Sequence, residues 1–257
     1  MQYLVEERGV DVHNEETLGY INACGEGHLP IVQYLVSRGI DIHNSDDWGF
    51  RYACQRGHLE IVKFLVSQGI NEDDTNIADI SSEYSEGLIS ACGNGHLPVV
   101  QWLTTHKTYT FNDEVNDVIY NAFIDACRNG HLSIVQYLTD TYHIIIMDTG
   151  FATACEKGHL PIVQYMVEHM GANVNLWDGD LFKIICREGH LPVVRYFVEH
   201  GVDIHANNDS AFIEACLFRQ TEVVQYLQSQ GVTRDPPSAD MIDAFNQLFN
   251  QITHQPL

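Results

Sequence analysis

Positive charge is scarce in this 257-residue chain: 13 Lys and Arg stand against 35 Asp and Glu, for a formal net charge of −22. A surface of that sign repels phosphate backbones and anionic headgroups, so nucleic acid and membrane are excluded as expected partners and a basic protein surface is favoured. No apolar run approaches the roughly 18 residues that a spanning helix requires, and no charged-then-apolar leader opens the chain. The expectation is a soluble, monomeric protein of the cytoplasm. Gly-x-Ser-x-Gly, phosphate-loop and His-Glu-x-x-His patterns are all missing, which removes the usual hydrolase, nucleotide and zinc-protease readings. No enzyme activity and no cofactor are therefore expected.

What the chain does have is a repeat. Ala23-Cys24-Gly25-Glu26-Gly27-His28-Leu29-Pro30-Ile31-Val32 returns as Ala53-Cys54-Gln55-Arg56-Gly57-His58-Leu59-Glu60-Ile61-Val62, and again at Ala91, Ala126, Ala154, Ile185 and Ala215. Gly-His pairs place His at 28, 58, 96, 131, 159 and 190, with Gln220 in the seventh slot. Their spacing of 28 to 38 residues marks a stacked-repeat protein, in which each unit touches only its neighbours. The seven Cys (24, 54, 92, 127, 155, 186 and 216) fill one slot per repeat, as small buried hydrophobes would, and unpaired thiols suit a reducing compartment.

Each unit reads as two short antiparallel helices. In the second unit the first helix is expected from about Asp47 to Arg56, with Asp46 or Asp47 capping its start and Gly57 ending it. Pro30, Pro98, Pro161 and Pro192 fall at the first turn of second helices, where a missing N–H does no harm. The pattern Ala-Cys-x-x-Gly-His-Leu-x-Ile-Val-x-x-Leu-Val-x-x-Gly-x-Asp-Ile-His resembles an ankyrin repeat. The resemblance implies an all-α solenoid of stacked helix-turn-helix pairs with abbreviated β-hairpin linkers. The family's Thr-Pro-Leu-His entry is replaced by Leu18-Gly19-Tyr20-Ile21 and Trp48-Gly49-Phe50-Arg51, and the regular units are near 30 residues. This short variant is similar to ankyrin proteins abundant in giant DNA viruses of amoebae, which implies a host-cell cytoplasm.

The array is expected over residues 1–234, a half repeat at 1–16 followed by about seven repeats, with a C-terminal capping helix and tail at 235–257. Met1 to Arg8 matches a second helix with no first helix before it. After Pro236-Pro237, Ser238 can cap a final helix with Met241, Ile242, Phe245, Leu248 and Phe249 on one side.

Cys-x-x-x-His superficially offers metal ligands or a nucleophile–base pair. The intervening Gly breaks the helix between the two side chains, so the Cys reads as packing, the His as a tie between units, and no metal is expected. Aromatics at one second-helix slot (Tyr3, Tyr34, Phe64, Trp102, Tyr137, Tyr165, Tyr196 and Tyr226) read as cover for the seams between units. His13, His43 and His205, with Asn175 at the matching site, lie in linkers and read as hydrogen-bonding groups there; the resemblance adds asparaginyl hydroxylases as possible modifiers.

Function then falls to the exposed residues, and the expectation is a non-enzymatic scaffold that binds a protein through a concave, linker-bearing acidic face. By the ankyrin pattern the pair before each Gly-His, or its equivalent, is exposed: Gln55, Arg56, Asn94, Arg128, Asn129, Glu156, Lys157, Arg187, Glu188, Leu217 and Phe218. The irregular linkers add Asp73, Asp74, Glu83, Tyr84, Tyr109, Phe111, Tyr142 and Ile145, aromatic anchors ringed by acid. The rival readings are a substrate adaptor for a host ubiquitin ligase, for which no docking module is visible, and a metal- or thiol-dependent enzyme.

Overall fold

The computed structural model describes residues 16–69, 83–106, 113–144 and 148–253. Among them are fifteen α-helices and no strand, so the fold is all-helical and the described linkers are turns without strand pairing. The chain divides into two compact units, residues 1–143 and 144–257, and the division falls inside the expected 1–234 array.

The first unit contains four helix pairs: α1 (Glu16–Gly25) with α2 (Leu29–Ser37), α3 (Asn44–Arg56) with α4 (Leu59–Ser67), α5 (Glu83–Gly93) with α6 (Leu97–His106), and α7 (Asp113–Asn129) with α8 (Leu132–Tyr142). First helices pack on first helices and second on second, in chain order. The second unit repeats this with α9 (Asp148–Glu156) and α10 (Leu160–Met170), α11 (Asp180–Glu188) and α12 (Leu191–Glu199), and α13 (Ala206–Leu217) and α14 (Thr221–Ser229). A 3-10 turn at Leu176–Gly179 precedes α11, and a last helix, α15 (Ala239–Thr253), packs on α13.

Local sequence sets these boundaries. Pro30, Pro161 and Pro192 sit in the first turn of α2, α10 and α12 as expected. Gly57 ends α3 in the left-handed conformation, at φ 78°. The start of α3 differs from the expected one. It begins at Asn44, its N-cap residue is His43, and no side chain caps it. Asp47 lies inside the helix at φ 53°, and its carboxylate lies 3.0 Å from the His43 Nδ1. Where the chain has no closing Gly after α8, His143 takes the left-handed turn at φ 51°.

In each of the two units the core is a column inside its first helices. Four residues before each Cys stands a large apolar side chain: Tyr20, Phe50, Leu88, Phe123, Phe151, Phe182 and Phe212, none more than 1% exposed. Each such burial is worth about 1.5–3 kcal/mol against exposure. Small residues let the column close. A Cβ on Gly49 would come within 2.5 Å of the Tyr20 ring, and one on Gly87 within 2.8 Å of the Phe50 ring. Tyr20 and Phe50 thus each lie on the bare backbone of the following repeat.

Candidate interaction surface

The repeated polar residues are used up between units. The His58 imidazole donates from Nε2 to the Gly25 carbonyl at 2.8 Å, His96 to Gln55 at 2.8 Å, His131 to Gly93 at 3.0 Å and His190 to Glu156 at 2.6 Å. Gln220, in the same slot, donates its Nε2–H to the Arg187 carbonyl at 2.8 Å. Every acceptor is the residue after the previous unit's Cys, at the end of a first helix, where carbonyls have no intrahelical donor. The ladder therefore satisfies a helix end and joins two repeats with the same bond.

The last rung is chemically different. Asn246 of α15 donates its Nδ2–H to the Leu217 carbonyl at 3.1 Å, so this helix places an amide where another repeat would place its His. Arg219, at φ 59°, takes the slot that Gly fills in the other six units, and it pairs with Asp243 of α15. Ser238 accepts the Met241 N–H at 3.3 Å as the expected cap. The expected apolar side of α15 holds only in part: Ile242 and Phe245 are half-buried, and Phe245 meets the Phe218 ring edge-on at 5.8 Å, but Met241 is 63% exposed. The side chains of Leu248 and Phe249 lie outside the described residues.

All seven thiols are free and buried. Burial pushes the Cys24 and Cys127 thiols up to about 12 and raises Cys54, Cys92, Cys186 and Cys216 as well. A thiol held protonated is a poor nucleophile and a poor metal ligand. Among the described residues no group of three or more His, Cys, Asp and Glu is arranged to hold a metal ion. Thiol reagents at pH 8 should leave the native protein essentially unlabelled and modify all seven Cys once it is denatured. The same shifts set an alkaline limit. The six thiols so raised contribute stability that is complete below the unfolded thiol's value near 9 and is lost as pH rises, for Cys24 and Cys127 toward about 12. Melting temperature should therefore fall through that window, and less steeply for Cys24→Ala.

The second-helix aromatics lie along the seams. The Tyr137 hydroxyl shares a 2.7 Å hydrogen bond with Thr104 of the preceding second helix. The Tyr196 hydroxyl donates to Glu168 at 3.3 Å, and Arg195 lies 4.4 Å from the Tyr226 ring centroid. In the linkers, Asp41 accepts the His43 N–H at 3.0 Å, Asp203 the His205 N–H at 2.9 Å, and Asn173 the Asn175 N–H at 2.9 Å. The Asp-Ile-His motif is thus a side-chain-closed turn, with its imidazole turned to a second carboxylate: His205 Nδ1 lies 2.7 Å from Asp209. His13 lies outside the described residues.

Of the residues expected to meet a partner, Gln55, Arg56, Asn94, Arg128, Asn129, Lys157 and Glu188 are exposed, Glu156 and Arg187 are half-buried, and Leu217 and Phe218 are half-buried too, Phe218 because its ring packs between Phe245 and Arg187. Their charges are locally matched. Arg128 pairs with Asp125, Lys157 with Glu156 at 3.1 Å and Arg187 with Glu188 at 2.9 Å, while Arg56 lies over the Tyr52 ring and donates to its hydroxyl at 2.9 Å. Asp73, Asp74, Tyr109, Phe111 and Ile145 lie outside the described residues, as do the side chains of Glu83 and Tyr84. Tyr142 is half-buried beside Tyr137 and Thr104, and burial pushes its phenol up to about 12.

Two exposed indoles were not among the expected contacts. Trp48 and Trp177, one in each unit, are each 48% exposed near the start of a first helix. The Arg51 guanidinium lies 5.1 Å from the Trp48 ring centroid and 2.5 Å from the Glu86 carboxylate. Trp177 and Asp178 are both left-handed, at φ 57° and 51°, and a Cβ on the adjoining Gly179 would lie 3.1 Å from Ala206 of the next linker. The sequence signal is an indole directly beside an acid, Asp47-Trp48 and Trp177-Asp178, at positions outside the recurring Cys and Gly-His slots.

Comparison with known proteins follows the same lines. The family model described as ankyrin repeats (3 copies) matches residues 1–79, 50–148 and 151–236. The crystal structure of the human ASB11 ankyrin repeat domain superposes with a TM-score of 0.63 over 85% of this chain and 99% of that one, at 18% sequence identity. At that identity the likeness is one of fold. No curated protein sequence matches the chain.

Proposed function

Because this chain belongs to the ankyrin-repeat family, whose members bind other proteins, we propose that it is a binding module for a basic protein segment, recognised along its acidic linkers and without covalent chemistry. One observation carries this reading. Four of the six recurring His make imidazole-to-carbonyl rungs between units and all seven recurring thiols are buried, so the residues left for recognition are mainly those that differ between units. Taken together those linkers carry more acid than base: between the second helices and the first helices that follow them, Asp41, Glu72, Asp73, Asp74, Asp79, Asp178 and Asp203 stand against Arg38 and Lys107. The cations on the first helices support the same polarity, because they are paired within the chain.

The irregular linkers with Asp73, Asp74, Tyr109 and Phe111 remain part of this proposed surface, with Trp48 and Trp177 added as its aromatic anchors. We read α15 as the cap of the array. Its Asn246 closes the last rung, and Asn246→Ala should cost about 1 kcal/mol and speed hydrogen exchange in α13 and α14 without altering partner affinity.

The test of function is capture of a binding protein by the full chain at low and high salt, with crosslinks then mapped onto the array. Salt-sensitive capture with crosslinks at the linkers supports the proposal. Salt-insensitive capture with crosslinks on the outer faces of the second helices would overturn it.

A further inference from the structure

The geometry points to Trp177 and Asp178 as a receptor for an arginine side chain of the partner, the indole taking the guanidinium on its face and the carboxylate closing over it. This inference rests on the proposed binding of a basic segment and names its anchor.

The chain contains its own precedent. At the other exposed indole, Trp48, a guanidinium from Arg51 already lies 5.1 Å from the ring centroid and 2.5 Å from the Glu86 carboxylate. An indole and a carboxylate together hold one arginine there. At Trp177 the same two chemical groups are adjacent in sequence, and no basic residue of the described structure lies over the ring. The nearest cation in sequence, Lys183, is engaged by Asp180 at 2.9 Å. An exposed indole beside an unneutralised carboxylate attracts a cation through the ring quadrupole and the charge together, and a planar guanidinium suits both better than an ammonium does.

The backbone adds a second argument. Counting back from each Cys, Trp177 and Asp178 occupy the places of Asn207 and Asn208 in the next unit, and all four residues are left-handed. Asn tolerates that conformation, whereas a bulky residue there is a marked outlier. The 48% exposed Trp177 gains little packing in return. A side chain that breaks the local rule without a packing reason is where recognition is expected.

The test uses the fact that the chain has only three Trp, at 48, 102 and 177. Nitrogen-15 labelling of the full chain gives three indole N–H signals, each assigned by a Trp→Phe variant. The probe is a capped peptide of alternating Arg and Gly, compared with its Lys-Gly and Glu-Gly counterparts, with calorimetry in parallel. The Trp177 signal should move with the Arg peptide, move less with the Lys peptide and stay still with the Glu peptide, while Trp102 stays still throughout. Trp177→Asn should weaken the Arg peptide about two- to fivefold, the value of an exposed cation–aromatic pair, with melting temperature unchanged or raised. If the Arg peptide binds by calorimetry but the Trp177 signal does not move, this inference fails and the broader proposal stands. If neither basic peptide binds, both fail. Equal shifts with Lys and Arg peptides overturn the assignment to arginine, and a lowered melting temperature for Trp177→Asn overturns it in favour of a structural role.

Discussion

Gly95→Ala should destabilise the protein by about 2–5 kcal/mol, although it adds a single methyl group to a surface turn. Two costs combine. Gly95 sits at φ 83°, where a non-glycine residue costs about 1–2 kcal/mol. The new Cβ would also lie 2.7 Å from the His131 imidazole, an overpacking worth about 1–3 kcal/mol. That imidazole cannot simply swing away, because its Nε2 holds the Gly93 carbonyl at 3.0 Å. The two costs separate in a double-mutant cycle. With His131→Ala already in place the clash is gone, and Gly95→Ala should cost only the backbone part. The expected coupling is about 1–3 kcal/mol, measured by chemical denaturation of the four proteins. Additivity within about 0.5 kcal/mol would show that the glycine serves the turn alone and not the next repeat's histidine.

Phe197→Ala is expected to be as damaging, at about 3–5 kcal/mol. Phe197 of α12 is fully buried, with its ring 6.1 Å from Phe151 of α9 and 6.2 Å from Phe182 of α11, both nearly parallel to it. Truncation therefore opens a void bounded by three helices from two repeats, and stacked units cannot close it without shifting against each other. Met241→Ala, at an exposed position on α15, is the control and should change stability by less than about 0.5 kcal/mol. A Phe197→Ala loss no larger than the control's would mean that the stack of Phe151, Phe182 and Phe197 does not hold the second unit together.

Much of this was legible from the residues. The spacing of the Gly-His pairs gave the helix pairs and the role of His as a tie between units, because a donor that recurs once per repeat beside a helix-ending Gly has one kind of acceptor in reach. The Cys slot likewise announced its burial. Other features escaped for physical reasons. Asp47 was expected as a helix cap because Asp usually caps, but His43 competes for the same carboxylate within one turn. The buried first-helix side chains, Tyr20 to Phe123 in one unit and Phe151 to Phe212 in the other, hid behind the more regular aromatics of the second helices, since only tertiary packing tells a buried ring from one at a seam. Asn246 could not be recognised as the last rung, because it shares neither the residue type nor the spacing of the others. The proposed binding surface is the least legible part. Its residues differ from unit to unit, so no periodicity points to them, and Trp177 stands out only once its exposure and its backbone are seen together.

The central claim is that the recurring histidines are ties between repeats and not groups free for chemistry, and histidine nitrogen NMR of the full chain tests it most directly. His58, His96, His131 and His190 should each carry a proton on Nε2 that is shielded from exchange with solvent, because that nitrogen must donate to a carbonyl. Unprotonated Nε2 atoms with the lone pair available, the state that a metal ligand or a general base requires, would contradict it.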